Sequence, residues 1–522
     1  MSEPTKQVYA YDCTLRDGCQ AEGVALTVEQ KLEVAQRLDE LGIHYIEGGY
    51  PLSNPKDQEF FQRVRTLGLT QARVSAFGST RKASAEAEED RGLRALLDAE
   101  TEVVAIVAKA WDLHVEKVLR TTLDENLRMV EDSVRLLKAE GREVIVDAEH
   151  FFDGHKANPE HAMKVAQVAA EAGADCVVLC DTNGGTLTGD VGRLTAEVVE
   201  RIGCAVGIHC HNDSGLAVAN SIASVQNGAV HVQGTMNGLG ERVGNADLCS
   251  IVAILNLKTD HHCISEEQLR KLTEVSRFVD EMANLIPNPY QPFVGKSAFA
   301  HKGGLHHDAM RKAEHSYEHI DPALVGNEQR FLLSELSGRA SMLAKMEKSQ
   351  ITQDPEVIRQ LLGQLQDLEN EGYQFEAAEA SFELVAEKVV GRYRPHLNAK
   401  SYHVSVIRQP DGTVTTDGTV KLDVNGTAMH TAAEGNGPVN ALDGALRKAL
   451  EPHYPALKDM HLTDFSVRVI NPKEATEARV RVVIQSADTH RAWGTVGVSE
   501  NIIEASWQAL IDSIEYKLLM ED

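Results

Sequence analysis

From Val8 to about Lys258 the chain alternates between short β-rich apolar runs and longer stretches with helical spacing. Eight such runs stand out: 8–13 (VYAYDC), 43–48 (IHYIEG), 73–77 (RVSAF), 102–108 (EVVAIVA), 143–149 (EVIVDAE), 175–180 (DCVVLC), 204–210 (CAVGIHC) and 230–235 (VHVQGT). Strands that alternate with helices predict βα units and a parallel sheet. The first helical stretch opens at Thr27, three residues before Gln30, in capping-box spacing, and closes at Gly42 after Leu32, Ala35, Leu38 and Leu41. Further helices are predicted near 124–140, 158–172, 188–202, 215–227 and 246–258. Eight βα units in about 250 residues suit a closed (β/α)₈ barrel better than an open doubly wound sheet.

Past residue 263 the pattern changes. Helices are predicted over 265–284 and 355–369, with a His-, Gly- and Pro-containing linker from 287 to 338 between them. From Ser401 a period of two appears in Tyr402/Val404/Val406 and, after a Pro-Asp-Gly turn at 410–412, in Val420/Leu422/Val424. An Asn-Gly turn at 425–426 and a helix over 438–450 complete the unit. A second pass repeats the order with Phe465/Val467/Val469, Val480/Val482/Ile484, a strand near 491–498 and a helix over 501–518. The expected organisation is a catalytic barrel over 1–262, helical linker subdomains over 263–395 and an α+β domain of two βββα units over 396–522. The tandem domain has no evident catalytic set and reads as a binding or interaction module.

A chain of 522 residues exceeds one ordinary domain, in keeping with this division. The net charge of -26 makes nucleic acid and anionic membrane poor partners. No apolar run approaches the ~20 residues that span a bilayer, and the N-terminus lacks a targeting pattern, so a cytoplasmic location is expected. Most of the eight cysteines lie in apolar, strand-like segments and read as reduced core thiols.

In a barrel, reactive side chains gather at the C-terminal ends of the strands. Here those ends carry Arg16 and Asp17, Glu149, Thr182, His209 and His211, and Asn237 to Asn245. On an extended backbone His209 and His211 face one way and Cys210 the other, a chelating geometry that Asp17 can complete. Mixed imidazole and carboxylate donors suit Mg²⁺, Mn²⁺, Co²⁺ or Zn²⁺. The glycines at 238, 240 and 244 do not fit the dinucleotide fingerprint, and they follow the eighth strand where that motif follows the first.

Thr14-Leu15-Arg16-Asp17-Gly18, His209-Cys210-His211-Asn212-Asp213, Gly240-Glu241-Arg242 with Gly244-Asn245, and the stretch from His301 to Asp308 resemble the metal-dependent Claisen-condensing family of 2-isopropylmalate, homocitrate and citramalate synthases. The resemblance covers nearly the whole chain. It implies that Asp17, His209, His211 and Asn245 ligate one divalent cation, that Arg16 meets the keto oxygen of a 2-oxoacid, and that Thr182 holds its carboxylate. It also implies Glu149 beside the acetyl group of acetyl-CoA, His306 as first candidate for the base, with Glu149 second, and Tyr317 as a helper. Gly48-Gly49-Tyr50-Pro51 is similar to the citramalate-forming members, which accept pyruvate, and departs from the isopropylmalate-forming ones, which accept 2-oxoisovalerate. Tyr50 is then expected to fill the space that a branched chain needs.

By the same resemblance the tandem domain is a dimerisation and effector domain. Isoleucine is the expected effector, and Gly435-Asn436-Gly437, ahead of Pro438, are candidate contacts. Two other readings stand beside these: a lyase that cleaves a 3-hydroxy-3-methyl acyl-CoA, and a barrel kept as a sensor or scaffold without turnover.

Overall fold

The computed structural model describes residues 6–301, 309, 312–313, 316–331, 354–375, 378–470, 478–489 and 491–521. The eight expected strands form as β1 (Tyr9–Asp12), β2 (Tyr45–Gly49), β3 (Arg73–Ser79), β4 (Val103–Lys109), β5 (Glu143–Glu149), β6 (Cys176–Asp181), β7 (Ala205–Cys210) and β8 (His231–Gly234). All are parallel, and β8 pairs with β1 to close the barrel. Period-two alternation sends Tyr11, Tyr45, Val103, Ala105, Ile145 and Val178 to one cluster inside. Their neighbours Val104, Ile106, Val144, Val146, Val177 and Leu179 belong to the larger core beneath the helices. Being buried on both faces is why these strands read as nearly continuous apolar runs.

The first helix, α1 (Val28–Leu41), begins at Thr27, whose side chain accepts from the Gln30 N–H while Gln30 returns a bond to the Thr27 backbone. It ends at Gly42, left-handed at φ 90°. The helix expected over 265–284 is instead two, Glu266–Leu269 and Leu272–Met282. The break falls where Gly326 presses its backbone on the Arg270 carbonyl and Thr273 donates its hydroxyl to Val325 O at 2.7 Å. Helices over Pro55–Val64, Arg91–Asp98, Phe151–Ala157 and Glu379–Val390 were not anticipated from the spacing.

The chain divides into two compact units, Met1–Phe299 with Glu318–Gln329, and Ala300–Tyr317 with Arg330–Asp522. The second holds two antiparallel three-stranded sheets: β9 (Asn398–Arg408), β10 (Val414–Val424) and β11 (Thr427–Gly435), then β12 (His461–Val469), β13 (Val480–Ala487) and β14 (Ala492–Ser499). Asn425 and Gly426 turn the β10–β11 hairpin at φ 52° and 80°, as an Asn-Gly pair should. Helices Pro438–Leu450 and Ile502–Leu519 share a core with Val420, Leu422, Val482 and Ile484. Every residue of β12 is exposed, Leu462, Phe465, Val467 and Val469 included, whereas Val483, Val496 and Val498 pack the far face of β13 and β14 against Ile358, Phe375 and Phe382. No described helix is long and apolar enough to cross a membrane, and all eight thiols are free.

Candidate active site

The polar residues at the strand ends converge. Arg16, Asp17, Glu149, Thr182, His209 and His211 line one cavity of about 900 Å³ at the C-terminal end of the barrel. His209 and His211 are each 6% exposed, with ring centroids 5.3 Å apart, while Cys210 turns into the core. Asp17, His209 and His211 each offer a ligand atom, and these lie within 4.8 Å of one another.

The surrounding bonds decide which atoms are available. Gln233, buried between strands, donates its amide N–H to Asp147 Oδ1 at 3.0 Å, so its oxygen faces His209 Nδ1 at 2.8 Å. That nitrogen must therefore carry the proton, and His209 Nε2 keeps its lone pair, 3.9 Å from Asp17 Oδ2. Asn245 donates to Asp17 Oδ1 at 3.1 Å and to Leu239 O at 3.0 Å, and a bridge to His211 holds it beside the pair. A side chain at Gly244 would strike the Gly238 carbonyl, and one at Gly240 would strike the Asn245 amide. Both glycines have positive φ, so the loop can bring Asn245 to this point only with glycine there.

His211 Nδ1 and Asn245 Oδ1 are buried without any hydrogen-bond partner. Side by side at the cavity, next to Asp17, these two unpartnered atoms are free to accept a ligand. Burial pushes the Asp17 carboxyl up, but Arg16, His209 and His211 outweigh it and hold the group at about 2. Burial and the neighbouring His209 push His211 down to about 4. An ionised carboxylate, two imidazole nitrogens and an amide oxygen make a donor set that fits a divalent cation.

Arg16 stands between Glu47 (2.5 Å) and Asp17 (2.9 Å), with its guanidinium 3.8 Å from the Phe77 ring centroid. Burial disfavours its charge, but Glu47 and Asp17 overcompensate and it stays protonated. Tyr50 also lines the cavity, edge-on to Phe77 at 6.4 Å. Its N–H is held by Asp57, itself paired with buried Lys31, whose ammonium also caps Gly48 O. Thr182 Oγ1 accepts from the His150 N–H at 2.9 Å, leaving the hydroxyl hydrogen for another acceptor. Glu149 forms an ion pair with Lys109 on β4. A second group of donors, His114, Glu149 and His150, also lies within 4.8 Å, with Trp111 stacked on His114.

The remaining candidates do not belong to the described barrel unit. His306 lies outside the described residues. Tyr317 belongs to the second unit and is 49% exposed. Gly435, Asn436 and Gly437 form the entry to helix Pro438–Leu450, where the Asn436 N–H is already taken by Asn440 Oδ1 at 3.1 Å. Glu47, Asp147 and Gln233, which orient Arg16 and His209, were missed from sequence. Their signal is a lone polar residue on the inward face of an otherwise apolar strand.

The HMGL-like family model matches residues 7–279, the homocitrate synthase post-HMGL domain-like model residues 293–373, and the LeuA allosteric (dimerisation) domain residues 376–518. The chain is 52% identical to the (R)-citramalate synthase of Geobacter sulfurreducens, covering 98% of this chain and 97% of that one. It is 50% identical to the (R)-citramalate synthase of Aquifex aeolicus, over 99% of both. A probable 2-isopropylmalate synthase of Methanopyrus kandleri is 32% identical, over 97% of this chain and 98% of its own.

Proposed function

The chain belongs to the (R)-citramalate synthase family, and from that membership we propose how the residues at its barrel mouth divide the work. The enzyme is an acyltransferase that condenses acetyl-CoA with pyruvate and hydrolyses the thioester to give (R)-citramalate and CoA. Isopropylmalate formation is the weaker reading, its named relative being markedly more distant.

Asp17, His209, His211 and Asn245 hold one divalent cation (Mn²⁺, Mg²⁺, Co²⁺ or Zn²⁺). The observation that carries this is the pair of partnerless buried donors, His211 Nδ1 and Asn245 Oδ1, beside an ionised Asp17. When bound, the cation supplies a Lewis acid that orients and polarises the 2-oxoacid. Arg16 faces the keto oxygen and stabilises the negative charge that develops as the acetyl carbon attacks. Glu47 and Phe77 hold that guanidinium in place beforehand. Thr182 donates its hydroxyl hydrogen to the substrate carboxylate, its oxygen being occupied by the His150 N–H. Tyr50 and Phe77 wall off the volume beyond the pyruvate methyl.

Glu149 lies beside the acetyl group. His306 takes the proton from the acetyl methyl, with Tyr317 assisting, and water then cleaves the thioester. The second unit dimerises through the uncovered apolar face of β12 and its counterparts Val406, Ile407 and Val414. It senses isoleucine, the end product of a route through 2-oxobutyrate, with Gly435, Asn436 and Gly437 at its effector contact. The enzyme acts in the cytoplasm.

A thiol-release assay with a panel of 2-oxoacids tests the assignment. Pyruvate should give at least ~10-fold higher kcat/KM than 2-oxoisovalerate, one to two methylenes of discrimination. Preference for 2-oxoisovalerate or 2-oxoglutarate would overturn it.

A further inference from the structure

Six cations line the cavity: Arg16, Arg81, Lys82, Lys109, Arg120 and Arg242. Four are engaged. Arg16 pairs with Glu47 and Asp17, Lys109 with Glu149, and Arg242 with Asp213. Arg81 is buried and pairs with Glu125 (2.9 Å) and Asp132 (2.7 Å). Lys82 and Arg120 are exposed on the cavity rim and have no carboxylate partner among the described residues.

Both are held by their backbones while their charges stay unspent. The Lys82 N–H donates to Asp90 Oδ2 at 3.0 Å, and its carbonyl accepts from Arg81 Nη1 at 3.1 Å. Arg120 closes a π-helical turn, His114–Leu119, in the left-handed region at φ 57°, ψ 45°. A non-glycine residue held there is strained, and such residues cluster at ligand clamps. π-helical turns concentrate at functional sites as well. The cavity of about 900 Å³ nears the upper limit for drug-sized ligands, far more than a three-carbon acid and an acetyl group occupy. In a chain of net charge -26, a polyanionic substrate needs local cations to offset the general repulsion.

We propose that Lys82 and Arg120 form a rim that seats the phosphate groups of the CoA portion of the acyl donor. This rests on the acetyl-CoA reading above. Arg120 offers the planar fork that pairs with phosphate oxygens, and Lys82 a mobile point charge. The other end of the donor then reaches down toward Glu149.

Calorimetric binding to the full chain tests this without turnover, using CoA and pantetheine, which lacks the nucleotide and every phosphate. Both side chains are exposed, so the K82A/R120A variant should keep the wild-type unfolding midpoint. It should bind CoA ~10- to 100-fold more weakly, the loss expected for two charge-assisted contacts, and bind pantetheine as wild type does. KM should rise for acetyl-CoA and stay fixed for pyruvate, and K82R/R120K should restore most of the CoA affinity. Unchanged CoA affinity in K82A/R120A, or an equal loss for pantetheine, would overturn the rim. Wild-type protein that binds CoA through this rim yet releases no thiol with any 2-oxoacid would instead contradict the condensation.

Discussion

The barrel unit and the tandem βββα unit treat buried polar atoms in opposite ways. Among the described residues, nine buried side-chain nitrogens and oxygens have no partner, and all nine lie in the barrel unit. In the tandem unit such groups find one another. Ser381 donates to Asp512 at 2.8 Å and accepts from the Val496 N–H at 3.0 Å. Glu515 accepts from the N–H groups of His396 and Leu397, each at 3.1 Å. Lys517 pairs with Asp488 at 2.7 Å. An unmet buried polar group costs about 1–3 kcal/mol, so the tandem unit is arranged to be complete in itself. Two of the barrel's nine, His211 Nδ1 and Asn245 Oδ1, lie at the mouth where the proposed cation would meet them.

The sharpest way to break this contrast is to remove a donor from the barrel set. Asp17→Ala should abolish tight metal binding and lower kcat by ~10³-fold or more, the several kcal/mol that a Lewis acid supplies. Metal content after gel filtration and the thiol-release rate check both. Arg16→Gln should keep metal but lose ~10²- to 10³-fold in kcat, as for a lost oxyanion donor. It also leaves Glu47 buried without its cation, so Arg16→Gln/Glu47→Gln should regain thermal stability without regaining activity. A double variant that recovers turnover would refute the electrostatic role of Arg16.

Gln233→Leu removes the acceptor that fixes the His209 tautomer, and metal affinity should drop ~10- to 100-fold, read as a dissociation constant. In the tandem unit the expectation reverses. Glu515→Gln should lower the stability of that unit by about 1–3 kcal/mol in urea and leave kcat without effector unchanged. A comparable loss of kcat would erase the distinction between the units.

Acid provides the mildest probe. Burial and the nearby His44 push His231, inside the barrel, down to about 3. Its folded value lies below its unfolded one near 6.5, so unfolding takes up a proton as pH falls. The stability it contributes is complete above pH 6.5 and is lost progressively from there down to about 3. Relative to His231→Gln, the wild type should lose about 1 kcal/mol between pH 7 and 5.5, measured by urea unfolding.

What the sequence discloses follows from the same physics. The eight strands are legible because burial on both faces enforces apolar runs, and α1 because Thr27, Gln30 and Gly42 carry its termini. His209 and His211 are legible because a spacing of two on a strand means a shared face. Asn245 is not, since only a bridge to His211 and the glycine conformations at 240 and 244 bring it there. Glu47, Asp147 and Gln233 stay hidden because one polar residue in an apolar strand signals burial without naming its partner. The break in the helix expected over 265–284 falls at a contact equally remote in sequence, where Gly326 packs against the Arg270 carbonyl from 56 positions away.

The most direct test of the central claim is a crystal of the enzyme soaked with Mn²⁺ and pyruvate, examined by anomalous diffraction. One strong peak should lie within bonding distance of Asp17, His209, His211 and the Asn245 amide oxygen, with pyruvate density against Arg16 and Thr182. A peak confined to His114, Glu149 and His150, or none at the barrel mouth, would contradict it.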